Sequence, residues 1–142
     1  MKITETHQRK FLLSVKTNCA NRAVEREFKM LLVYEKRYLI KILTVLEKIW
    51  GDDWAIIKID IKNAPFALMD IEVRIYKKYR ILLAYDRSLL GIFIMRNGEP
   101  VHISKFTKQE LITGFEVCKK EENLLHNFHI LDDVLKALDR QN

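Results

Sequence analysis

The chain has 142 residues, 49% of them hydrophobic and 31% charged, with a formal net charge of +6. That is one domain's worth of chain with ample apolar side chain for a core, which excludes a disordered tail. Four glycines, two prolines and two cysteines exclude collagen-like, low-complexity and disulfide-framework classes, and they disfavour a glycine-rich nucleotide-binding loop.

The charge is unevenly laid down. Residues 1–50 carry 11 Lys/Arg against 5 Asp/Glu, whereas residues 97–142 carry 6 against 8. The basic excess therefore belongs to the first third, where it would attract phosphates or an acidic protein surface. The plain alternative is a solvated helix surface whose lysine and arginine stems cover apolar area. The apolar run Phe11–Val15 is too short for a secretory leader, and no stretch approaches the ~20 apolar residues of a membrane helix. With its sparse cysteines, the chain reads as a soluble cytoplasmic protein.

A short helix is expected over Glu5 to Lys16, and the strongest helical signal spans residues 21–50. There Val24, Phe28, Leu31, Tyr38, Ile42, Val45 and Ile49 recur at spacings of three, four or seven, with Leu39, Leu43, Leu46 and Trp50 beside them. Asn21 suits the N-cap and Gly51 the C′ position. A helix of about 45 Å exceeds a small domain's diameter. Either it breaks at Glu35-Lys36-Arg37, or it is a long core helix, or it projects and pairs with a second copy of the chain.

From Trp54 onward the period changes to two. Trp54–Lys62 and Met69–Tyr76 alternate apolar and polar residues, as half-buried strands do. Arg80–Tyr85 and Leu89–Arg96 are nearly continuous in apolar residues and read as central strands. Asn97-Gly98 is the preferred type I′ hairpin turn, and Pro100 places Val101–Ser104 at a sheet edge. These segments predict a five-stranded antiparallel meander. Thr107-Lys108-Gln109-Glu110 then has the form of a capping box, predicting a helix through Leu111, Phe115 and Cys118 that ends near Asn127. A last helix would open at Asp132 or Asp133. The result is a single α+β domain over 1–142: a basic helical part (1–51), the antiparallel sheet (52–106), and C-terminal helices (107–142) packed on one sheet face.

Candidate chemistry is thin. Asp60 and Glu72-Val73-Arg74 share outward parity on neighbouring strands, which resembles the carboxylate pair of restriction-endonuclease-like, Mg-dependent nucleases. Arg74 stands where those enzymes carry a lysine, and more antiparallel strands follow instead of the expected α-β-α-β continuation. Ordinary cross-strand charge pairing accounts for the same residues. His126 and His129 would share a metal only if both were helical, and Cys118, on the apolar stripe, reads as an inert buried thiol. Cys19 lies beside Lys16 and Arg22, with nothing to mark it as catalytic. No metal or cofactor is implied.

Binding is the favoured reading. Lys58, Lys62, Arg74, Tyr76, Lys78 and Arg80, with Trp54, interleave cations and aromatics on or near one sheet face. Such a surface suits a protein interface or a single-stranded nucleic acid, and Asp60, Asp70 and Glu72 interrupt its positive field in favour of the protein. The expectation is a small non-enzymatic regulator or inhibitor that docks on a protein or nucleoprotein partner with an acidic surface. In size and class alone it compares with immunity and phage anti-defence proteins. The alternative is a nucleic-acid-binding module in which Lys29, Lys36, Arg37, Lys41 and Lys48 meet phosphates.

Overall fold

A computed structural model of the chain describes residues 33–62, 68–86, 89–114 and 120–141. Its elements are α1 (Val33–Trp50), β1 (Trp54–Lys62), β2 (Leu68–Ile75), β3 (Tyr79–Asp86), β4 (Leu89–Arg96), β5 (Glu99–His102), a 3₁₀ turn (Ile103–Lys105) and α2 (Glu121–Arg140). The five strands lie in sequence order in one antiparallel sheet. This is the α+β meander that the alternating pattern predicts. Among the described residues no helix is long and apolar enough to cross a membrane.

The helix forecast over 21–50 is observed from Val33, unbroken through Glu35-Lys36-Arg37; residues 21–32, and the helix expected over Glu5 to Lys16, lie outside the described residues. Gly51 ends α1 with φ +54°, and its N–H reaches the Glu47 carbonyl at 2.9 Å, the αL cap that glycine adopts without Cβ strain. The α1 stripe Leu39, Ile42, Leu43, Val45, Leu46 and Trp50 is buried. It joins one core cluster with α2 and the inner sheet face. Along α1, then, the apolar seam proposed for a second copy is occupied by the chain's own α2 and sheet.

Two sequence expectations fail, for physical reasons. The capping box at Thr107 starts no helix at that point. Thr107 Oγ1 instead accepts the Gln109 N–H at 3.1 Å, a local turn, and residues 107–114 run irregularly. The expected helix end near Asn127 is also absent, since α2 is continuous for 20 residues. Asn127 sits mid-helix because its buried amide binds the irregular segment. Its Oδ1 accepts from Ile112 N at 2.7 Å, and its Nδ2 donates to the Ile112 carbonyl at 2.9 Å. Tertiary hydrogen bonds thereby outweigh its weak helix propensity.

Candidate functional site

The alternation of β1 is interrupted by a bulge between Ile56 and Lys58. An extra residue reverses the facing of everything before it. Trp54 and Ile56 therefore point inward, Ile57 takes up the slip, and Ile59 resumes the inner face. Trp54 is only 3% exposed, and its Nε1 donates to Glu47 of α1 at 2.8 Å. It is a core residue rather than part of the binding face expected from parity.

The outer face carries three cross-strand rows. Lys58, Glu72, Leu82, Phe93 and His102 form the middle row, each opposite the next. On one side of it Asp60 faces Asp70; on the other Arg74 faces Arg80. Leu82, Phe93 and Met95 are half-buried there, and Leu89 is 38% exposed. The Phe93 ring lies over Gly91, whose missing Cβ would fall 2.8 Å from Phe93 Cε2, and the His102 imidazole meets that ring edge-on at 5.2 Å. Glu72 accepts from Arg80 Nε at 3.1 Å and Nη2 at 2.5 Å. Asp60 and Glu72 thus share the outer face one row apart, as the nuclease reading requires. The Glu72 carboxylate, however, is already engaged by a guanidinium.

Of the remaining predicted contact residues, Tyr76 and Lys78 lie in the β2–β3 turn and Lys58, Arg74 and Arg80 on the outer face. The Lys62 side chain lies outside the described residues, as do the whole of Lys29 and the side chain of Lys36. On α1, Arg37 is exposed, Lys41 lies 5.9 Å over the Tyr38 ring, and Lys48 is ion-paired with Glu121. The basic helix row is therefore partly committed within the chain. His126 and His129 are both helical and exposed, but His126 Nε2 lies 3.0 Å from the Glu110 carbonyl. Among the described residues no three His, Cys, Asp or Glu side chains gather as metal ligands do. Cys19 and Cys118 fall outside them.

The turn end of the sheet gathers more charge than the pattern foretold. The β2–β3 and β4–β5 turns leave between them a cleft of ≈ 380 Å³ lined by Lys78, Tyr79, Arg80, Met95, Arg96 and Gly98. Lys77 and Arg96 are exposed and form no ion pair among the described residues. Sequence reading missed both as contact residues, although Arg96 beside Asn97-Gly98 was bound to stand at a turn. Lys78 is ion-paired with Asp139 and lies 4.9 Å over the Tyr79 ring, while Tyr79 Oη donates to Asp139 at 2.6 Å. The Asp139 pairing raises the Lys78 pKa; Lys78 and Tyr79 together lower that of Asp139.

Behind this end lies a buried anchor. Asp132 Oδ1 accepts from Trp50 Nε1 at 3.0 Å and from Tyr76 Oη at 2.6 Å, and Lys136 Nζ lies 3.0 Å from Oδ2. Burial and the hydrogen bond to Asp132 push the Tyr76 pKa up to about 12. Burial opposes the Asp132 carboxylate, yet the donors Tyr76, Lys136 and Trp50 hold its pKa below the ordinary value. The anchor fixes a turn that local preference would not choose. Tyr76 and Lys77 both adopt left-handed φ, 56° and 62°, the two positions where a type I′ turn favours Asn and Gly. Tyr76 is held by Asp132 and by its N–H to the Asp53 carbonyl at 2.7 Å. Lys77 has no such tether, so Lys77→Gly should raise stability by about 0.5–1 kcal/mol by removing strain at its position. The urea midpoint checks this; an unchanged or lower midpoint would show that the backbone there is unstrained.

Compared with protein-family models, curated proteins and solved structures, the chain matches none.

Proposed function

We propose that this chain acts by binding: it is a small regulator or inhibitor that docks its turn end on an acidic surface of a protein partner. The observation that carries this reading is the cleft lined by the exposed Lys78 and Arg96, with Lys77 exposed in the adjoining turn in a left-handed conformation that glycine would adopt at less cost. A rigid turn bearing the exposed, unpaired Lys77 loses little entropy on docking, and the charge of Lys77 and Arg96 speeds encounter with an acidic partner. A protein is favoured over nucleic acid because the same sheet turns carboxylates outward. Asp60 and Asp70 lie four and more residues along the strands from the Arg74 row, where they would repel a phosphate backbone crossing the face.

Immobilised protein is to be challenged with nuclease-treated host extract, beside the variant Lys77→Glu/Arg96→Glu. The expected result is a protein captured by the parent and reduced about tenfold or more by the variant. Equal capture by both overturns the reading. So does retention of nucleic acid alone, released steeply as salt rises.

A further inference from the structure

The cleft at the turn end holds more hydrogen-bond donors than the chain itself uses. Lys78 lines it from the β2–β3 turn, Arg80 from the start of β3 and Arg96 from the end of β4, with Tyr79 and Met95 between them. Gly98, left-handed at φ +82°, adds no side chain to the rim. Arg80 sends both Nε and Nη2 to one oxygen of Glu72, so its Nη1 group has no partner among the described residues. The Lys78 side chain, ion-paired with Asp139, is still 49% exposed. Arg96 is exposed and forms no ion pair among the described residues, and the same holds for Arg74, directly opposite Arg80. We propose that this cleft receives a phosphoryl group borne on a side chain of the protein partner, which rests on the docking reading and names the chemistry of its contact.

The placing of the cations favours a phosphoryl group over a carboxylate. A carboxylate is planar, singly charged and has two oxygens, so a single guanidinium fork satisfies it. A phosphomonoester carries close to two negative charges and spreads three strong acceptor oxygens. Cations that reach one cleft from the turn, from β3 and from β4 match the second shape. Glu72 and Asp139, beside the cleft, repel any entering anion, and a singly charged one has less attraction with which to offset them. The same two carboxylates hold the Arg80 and Lys78 side chains in place, so less rotamer freedom is lost when the ligand arrives. Arg96, its fork unspent, is the residue for the bidentate contact. A cleft of ≈ 380 Å³ is at the small end of ligand sites and has room for one such side chain. Phosphorylation of the partner thereby sets whether it is held.

Amide NMR shifts of the isotope-labelled full chain are to be followed as phenyl phosphate, benzenesulfonate or benzoate is added at constant ionic strength. These probes share a ring and differ in the anion. Phenyl phosphate should move the amides of residues 77–80 and 96–98 with low-millimolar affinity, and benzoate should bind at least about tenfold more weakly. Benzenesulfonate, with the oxygens but not the second charge, should fall between them. Arg96→Gln and Arg80→Gln should each weaken phenyl phosphate at least about fivefold. Arg96→Lys keeps the charge and loses the fork, and should weaken it at least about threefold. Lys105→Gln, in the 3₁₀ turn, should change nothing. Equal affinity for phenyl phosphate and benzoate, shifts scattered away from the cleft, or an Arg96→Lys variant that binds as well as the parent overturns the proposal. A dinucleotide phosphodiester that binds as tightly as phenyl phosphate also overturns it, in favour of nucleic acid. Any of these failures beside loss of partner capture in Lys77→Glu/Arg96→Glu leaves docking standing and removes the phosphoryl contact alone. Equal capture by parent and variant removes the docking reading itself.

Discussion

Asp132→Ala is expected to lower the stability of the folded chain by about 3 kcal/mol, roughly 10 °C in Tm, because one substitution strands the buried Trp50 N–H and the half-buried Tyr76 hydroxyl. Asp132 is 8% exposed, and it joins the end of α1, the β2–β3 turn and α2 through Trp50 Nε1 and Tyr76 Oη. Asp132→Asn keeps an acceptor and should lose only about 1 kcal/mol. Pairing Asp132→Ala with Tyr76→Phe should be less than additive, since the phenol then has nothing to lose. The acid limb of stability follows the same carboxylate. Its pKa is lower folded than unfolded, so its contribution is present above the unfolded value near 3.8 and disappears as pH falls through the folded one. For Tyr76 the sign reverses: its neutral form is favoured, and that stabilisation fades as pH rises from 10 towards about 12. Urea unfolding across pH checks both limbs, and an acid limb identical in Asp132→Asn would show the carboxylate to be idle.

Phe128→Ala should be the most damaging single change, at about 4 kcal/mol. The side chain is fully buried on α2, and its ring stands 6.0 Å from that of Trp50 at 54°. Truncation removes the transfer free energy of the phenyl group and leaves a void between two helices pinned by separate hydrogen bonds. Those pins hinder the collapse that would otherwise soften the loss. Phe128→Leu, which fills most of the space, should recover more than half. A loss below about 1 kcal/mol for the alanine variant would mean that α2 shifts to close the gap.

The sheet was legible because each strand repeats a period of two and the turn residues mark its ends. Asn97-Gly98 and Gly51 adopt the left-handed conformations their residue types favour. What escaped the sequence was decided by contacts between distant residues. The bulge at Ile57 has no local signature, and without it Trp54 falls on the wrong face. Tyr76-Lys77 is a left-handed turn without a glycine or asparagine, possible because Asp132 lies 56 residues further on to grip Tyr76. Asn127 reads as a helix end by propensity and is a mid-helix fastening by partnership. The outward positions of Lys58 and Arg74 were readable from alternation, whereas Lys77 and Arg96 acquire significance only once two turns stand side by side.

The order of the strands also sets how the chain comes to its native state and how long it stays there. Every pairing in the sheet joins sequence neighbours through a short connection, so the sheet can zip from its turns with small loop-closure losses. The hydrogen bond from Trp50 to Asp132 spans 82 residues, so the helices are expected to close last, over a sheet already formed. Contacts made after the barrier govern departure rather than arrival. Loosening the Asp132 knot should therefore leave the refolding rate nearly unchanged and quicken unfolding. The knot acts as a latch, setting the lifetime of the folded molecule and not the ease with which it forms.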